Sequence, residues 1–189
     1  KTSIFAIILT QISKSGSFLE FLPILEMFRQ EYTPDELPYH LIVPSLPGYT
    51  FSSGPPLDRN FTTTDIARVL DQLMKDLGFE GDYVAQGGDI GSRVARGLAV
   101  DHESCKGERP SFFPYVRTHT GTSAVHLNVC FMGRPNGISD DHLKASEMAG
   151  IKRMEDFRTT GSGYAIEHGT RPSTIGLVLA SNPVALLAW

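Results

Sequence analysis

Residues 84–92 read VAQGGDIGS, with the acid Asp89 set among Gly87, Gly88 and Gly91 where an apolar run gives way to a helix-like one. A strand that turns sharply into a helix exposes its turn residue at the carboxyl end of the sheet, where α/β proteins place their ligands. Such a turn is tight, so the residues two positions to either side must be small, and Gly87 and Gly91 meet that demand. Serine at this point suits attack on a carbonyl. A carboxylate needs no base to deprotonate it and suits displacement at a saturated carbon, which leaves an alkyl ester on the enzyme. Water can then attack that ester with a histidine as general base. Epoxides and alkyl halides both fit this logic. The plainer reading is that Asp89 caps the helix that follows. A phosphate loop fits poorly, because GGDIGS has neither Walker spacing nor a complete GxGxxG and its central acid would repel phosphate.

Working outward, DYVAQGG predicts a short strand and DIGSRVARGLAVDH a helix. Upstream, TTTDIARVLDQLMKDLG predicts the clearest helix, capped by Thr63 or Thr64 and stopped by Gly78. Its apolar stripe is Ile66, Val69, Leu70, Leu73, Met74 and Leu77. YHLIV reads as a strand running into the proline-rich loop PSLPGY, and Ser17 caps a helix with Leu22, Leu25 and Phe28 on one face. Residues 4–9 read as an opening buried strand, in preference to a poor signal peptide, and AVHLNVCFM as a later one. Continuous rather than alternating apolar strands, separated by helices, predict an α/β fold with a mostly parallel sheet covered on both faces. From Ser139 onward the pattern is helical, broken at Gly161, Gly163, Pro172 and Pro183. The expected organisation is therefore an α/β core over 1–138 and the start of a helical cap or lid over 139–189.

The 189 residues suffice for one domain with a real core, and the net charge of -4 argues against nucleic acid or an anionic membrane as partner. Two cysteines, Cys105 and Cys130, provide neither a disulfide framework nor a tetrahedral metal site, so no metal and no cofactor are expected. No apolar run reaches the roughly 18–20 residues of a membrane span. Asn60-Phe61-Thr62 is a formal glycosylation sequon of the kind that arises by chance, and a cytoplasmic location is expected.

LPYHLIVPSLPGYTFSSGP, DLGFEGDYVAQGGDIGSRVA and TTGSGYAIEHGTRPSTIGLVLASNPVALLAW together closely resemble epoxide hydrolases of the α/β-hydrolase superfamily, of the soluble fungal type and in the branch that holds the microsomal enzymes. The resemblance implies a partial α/β-hydrolase fold with Asp89 as nucleophile at the elbow. It implies that Tyr164, which the residues alone would read as a packed lid aromatic, donates to the epoxide oxygen. Ile90 would place its backbone N–H in the oxyanion hole. The implied reaction turns an epoxide into a vicinal diol through an aspartyl ester, without cofactor. Its partners would be a small apolar epoxide and water, with no nucleic acid or membrane, and the reading is compatible with a homo-oligomer. An apolar pocket under the lid would select aryl or alkyl epoxides, consistent with detoxification or catabolism of aromatic compounds. A haloalkane dehalogenase-like hydrolase is the alternative, but those enzymes usually carry tryptophan after the nucleophile and Ile90 offers no halide donor.

Three departures stand out. Where the family carries His-Gly-Trp-Pro, this chain has Ile12-Ser13-Lys14-Ser15. The family's histidine base, its acidic partner and a second lid tyrosine lie beyond the point reached at Trp189, which raises the alternative of a catalytically inactive fragment. Finally, residues 107–123 interrupt a join that otherwise reads ESCKAVHLNVCFMGRPNG, and we read them as a retained intron. Gly107-Glu108 is compatible with a GTGAG donor and Ser123-Ala124 with a CAG acceptor, in a length that keeps frame. If translated, the segment would form a long exposed loop. Sequencing the spliced transcript checks this: the mature message should lack these codons, and a message that retains them would refute the reading.

Overall fold

The computed structural model describes residues 5–10, 16–37, 39–80, 83–105, 125–130 and 139–189. The departures at 12–15 and 107–123 lie outside the described residues, as does the expected first strand residue, Ile4. The chain divides into two compact units, Lys1–Met132 and Gly133–Trp189.

Among the described residues, the first unit holds a four-stranded parallel sheet. Its strands are β1 (Phe5–Thr10), β2 (Tyr39–Ile42), β3 (Tyr83–Gly87) and β4 (Val125–Leu127), arranged in the order β2-β1-β3-β4. Successive side chains of a strand point to opposite faces, and β1 shows why its apolar run is unbroken. Ala6 and Ile8 join one core cluster while Ile7 and Leu9 join another with Phe21. Both faces are covered. The first cluster is closed by α2 (Thr63–Asp76) through Ala67, Leu70 and Met74 and by α3 (Ile90–Asp101) through Val94, Ala95 and Leu98. Burying side chains of this size contributes about 1.5–3 kcal/mol each for the larger aliphatic ones.

Local signals set the element ends. Ser17 caps a short 3-10 turn, Phe18–Phe21, which buries Phe21 and leads into α1 (Leu22–Glu31). The face expected on α1 is shallower than its spacing suggests: Leu25 and Phe28 are half-buried and Leu22 is exposed. On α2 the cap is Thr62 and not Thr63 or Thr64, because only Thr62 stands three residues before the N3 residue, Asp65. The Asp65 carboxylate accepts from the Thr62 N–H at 2.9 Å, the reciprocal half of a capping box. The other end is a Schellman closure. Gly78 takes φ +88°, its N–H reaches the Lys75 carbonyl and the Phe79 N–H reaches that of Met74, each at 2.9 Å.

The buried stripe of α2 is Ala67, Leu70, Asp71 and Met74, displaced from the expected one; Val69 and Leu77 are exposed. Asp71 earns this position by its partners. Its carboxylate accepts from the Tyr83 hydroxyl at 2.9 Å, pairs with Lys75 at 2.7 Å and lies 3.2 Å from His102 Nδ1. Burial pushes the carboxyl up, but the hydrogen bonds from Lys75 and Tyr83 and the nearby positive charge outweigh it, so it sits below its ordinary value. Buried Cys105 shows the opposite balance, its thiol pushed up to about 12 mainly by burial.

In the second unit, α4 (Ala145–Asp156), α5 (Gly163–Thr170), α6 (Pro172–Ser181) and α7 (Pro183–Ala188) follow one another. Phe157–Gly161 forms a π turn between α4 and α5. Pro172 and Pro183 open helices, since the first helical position needs no N–H. Asn182 caps α7 by accepting from the Ala185 N–H at 2.9 Å.

Because the folded Asp71 carboxyl is depressed, its stabilisation is complete above the unfolded value of about 3.9 and is lost as pH falls through the lower folded value. Urea unfolding should therefore show Asp71→Asn destabilised by about 1–3 kcal/mol at pH 7, with the gap narrowing in acid below the unfolded value. A gap that does not change with pH would contradict this account.

Candidate functional site

β3 carries the site. Gly87 ends the strand, paired with Thr10 of β1 on one side and Leu127 of β4 on the other. The chain then reverses into α3 through Asp89, at φ +46° and ψ -116°. A residue with a Cβ is strained there by about 1–3 kcal/mol. The strain is held by packing. A Cβ placed on Gly87 would run into the Gly91 carbonyl and come within 2.6 Å of Thr10 Oγ1. The first turn of α3 thus lies directly on the end of the strand that feeds it.

Hydrogen bonds fix this contact. The Thr10 hydroxyl stands 2.9 Å from the Gln86 carbonyl oxygen and 3.1 Å from that of Gly91, and shares its proton between them. Ser92 Oγ donates to the Gly87 carbonyl at 2.7 Å, and the Ser92 N–H is shared by the carbonyls of Gly88 and Asp89 at 3.2 and 3.1 Å. From the end of β4, the Asn128 N–H reaches the Gly87 carbonyl at 3.2 Å and the Val129 N–H reaches Ser92 Oγ at 3.3 Å. Asn128 Oδ1 accepts from the Asp89 N–H at 3.3 Å.

The Asp89 residue is half-buried and heads α3, whose first N–H groups have no intrahelical acceptor and favour negative charge. Ile90 opens that helix and packs against the core, so its N–H belongs to the same first turn. Tyr49 also senses the acid: its phenol is raised first by burial and then by the charge of Asp89. The loop that carries it is cross-braced, with the Gly48 N–H on the Ser53 carbonyl at 2.9 Å and Ser52 Oγ on the Ser45 carbonyl at 2.7 Å.

Tyr164 belongs to the second unit, at the start of α5, and is 47% exposed. Its ring meets His168 edge-on at 6.3 Å, and His168 stacks on Trp189 at 5.3 Å. Other described histidines have places of their own: His102 on Asp71, His40 against the Phe79 ring at 5.3 Å, and His142 on Ser139 at 2.8 Å. Sequence reasoning singled out Asp89 and Ile90 at the turn. It missed Ser92, although that residue closes the quoted stretch, and it missed Thr10, Tyr49 and Asn128, which carry no motif of their own and come to the turn only through the parallel pairing of the strands and the fold of the loop after β2. Among the described residues no group of three or more His, Cys, Asp or Glu could hold a metal ion, and no helix is long and apolar enough to cross a membrane.

Residues 24–111 match the alpha/beta hydrolase fold family. Over 174 residues, 92% of the chain, the sequence is 42% identical to a Dothistroma septosporum protein provisionally named an epoxide hydrolase, and covers 37% of that protein. It is 30% identical over 180 residues to epoxide hydrolase 1 of Oryctolagus cuniculus, again over 92% of the chain and 38% of that protein. Among solved structures, the Aspergillus niger epoxide hydrolase superposes over the whole chain with a TM-score of 0.82 at 55% identity, the chain covering 45% of it. The juvenile hormone epoxide hydrolase of Bombyx mori, at 22% identity and a TM-score of 0.67, shares the fold. The chain spans 37–38% of the length of these two curated relatives.

Two substitutions separate strain from packing at the turn. Asp89→Gly removes the Cβ from a positive-φ position and should raise stability by about 1 kcal/mol in urea unfolding. Gly87→Ala forces a Cβ against the Gly91 carbonyl and should cost about 1–3 kcal/mol or more. If Asp89→Gly is no more stable than the parent, the strain argument fails.

Proposed function

We propose, for a chain that has the α/β-hydrolase fold and belongs with the epoxide hydrolases of that superfamily, that Asp89 is the nucleophile of an epoxide-opening reaction. The supporting observation is the conformation of Asp89: an acid held at φ +46° on a strand–turn–helix junction, where a cap residue would take ordinary extended angles. A carboxylate oxygen of Asp89 attacks a ring carbon, that carbon's bond to the epoxide oxygen breaks, and the oxygen takes a proton as the alkyl ester forms. Tyr164 is the proposed donor of that proton, a role that suits a phenol. Water then adds to the ester carbonyl with loss of its proton to a general base, and the diol leaves. The Ile90 N–H, at the positive end of α3, would face the oxyanion of this second step.

On this reading residues 1–138 form part of the hydrolase core and 139–189 the start of a helical lid. The substrate would be an aryl or alkyl epoxide, with detoxification or the catabolism of aromatic compounds as the setting. No bound metal or cofactor enters either step.

Intact-protein mass spectrometry with a small aryl epoxide tests the reading, with circular dichroism as the check on folding. The folded chain should gain the mass of one epoxide, and Asp89→Asn should gain none. Tyr164→Phe should slow adduct formation by about 10²-fold, the range for loss of a positioned proton donor. A folded parent chain that forms no adduct would defeat the proposal. Adduct formation from a chloroalkane, with release of chloride, would instead favour the dehalogenase alternative.

A further inference from the structure

A backbone N–H at φ +46° falls between two hydrogen-bonding systems. It lies beyond the ladder of β3, which ends at Gly87, and before the helical bonds of α3. Such a group takes its acceptor from elsewhere, a side chain or water. Asn128 Oδ1 supplies it at 3.3 Å. The donor character of the Asp89 N–H fixes which end of the Asn128 amide faces the turn.

This bond is one of a series. The end of β4 meets the turn at Gly87 through the Asn128 N–H, at Asp89 through the Asn128 side chain, and at Ser92 through the Val129 N–H. Ser92 Oγ also lies 3.5 Å from Asn128 Oδ1, while its own proton goes to the Gly87 carbonyl at 2.7 Å. Two backbone N–H groups, of Asn128 on the Gly87 carbonyl and of Val129 on Ser92 Oγ, hold the end of β4 to the turn without the Asn128 side chain. Only the side-chain contact reaches the residue whose carboxylate is to react.

We propose that Asn128 is a positioning residue for the nucleophile: its side-chain oxygen latches the Asp89 backbone and keeps the carboxylate aimed for displacement. The inference rests on the reading of Asp89 as nucleophile, although the latch itself is a matter of geometry. Asn128 acts through the Asp89 backbone and need not touch substrate.

The test uses the full chain with Asn128→Ala and Asn128→Asp, the second keeping an acceptor oxygen in the same place. Residue-resolved amide exchange should rise about tenfold or more at Asp89 in Asn128→Ala, with Val94 and Leu98 unchanged, and return close to parent in Asn128→Asp. In single-turnover adduct formation with the aryl epoxide, Asn128→Ala should lower the maximal rate by about tenfold at an unchanged half-saturating concentration. Asn128→Asp should recover that rate at higher pH, its added charge moving the pH midpoint of alkylation upward. Unchanged exchange at Asp89 in Asn128→Ala would overturn the latch. So would a rate lost equally in both variants at every pH. If the folded parent forms no adduct, the nucleophile reading fails and takes the positioning role with it, while exchange at Asp89 still decides whether the latch exists.

Discussion

The closeness of Gly87 to the Gly91 carbonyl governs the geometry of the turn at Asp89. With no Cβ between them, the first turn of α3 rests on the last residue of β3, and Asp89 is carried to the apex of the reversal. Everything around the turn answers to that approach. Thr10 bridges the carbonyls on either side of it, Ser92 folds its hydroxyl back to Gly87, and the end of β4 adds three further bonds. These contacts come from three neighbouring strands and one helix, so the turn is a product of the sheet and not of a local peptide preference. Positive φ at a residue with a side chain persists only under such over-determination.

Much of this was legible in the sequence because the steric demand is local. Gly87, Asp89 and Gly91 lie within five residues, and the tightness of the turn can be inferred from their sizes alone. The parallel sheet was legible for a related reason: β1 feeds both core clusters, so its sequence is apolar without alternation. The braces were not legible. Thr10 and Asn128 are separated from Asp89 by long stretches of chain, and no spacing rule links a threonine at a strand end to a glycine carbonyl. Their selection waits on the strand order, which periodicity does not give.

α2 shows a different limit. Its pattern correctly marked a helix, but the hydrophobic stripe was drawn through Val69 and Leu77 and passed over Asp71. Reasoning from hydropathy places an acid outside. Here the partners lie close enough to reverse that preference, with Tyr83 on the strand behind, Lys75 one turn along and His102 just past α3. Pairing of this kind compensates for the loss of water around the charge. It also ties α2, β3 and the exit of α3 at one point, at the opposite end of β3 from the turn.

The strain at Asp89 has a consequence for how such a fold can diverge. The unfavourable term belongs to any residue that brings a Cβ to that backbone geometry, and the surrounding braces hold main-chain atoms: the carbonyls of Gln86, Gly87 and Gly91 and the Asp89 N–H. None of them recognises a carboxylate. The braces are therefore indifferent to which small polar side chain stands at the apex, provided it is not glycine, and only the positive end of α3 favours a charged one. An acid, an alcohol or a thiol could be exchanged there at little cost to folding, so a lineage could move between reaction classes by a single replacement while its sheet, helices and braces stay as they were.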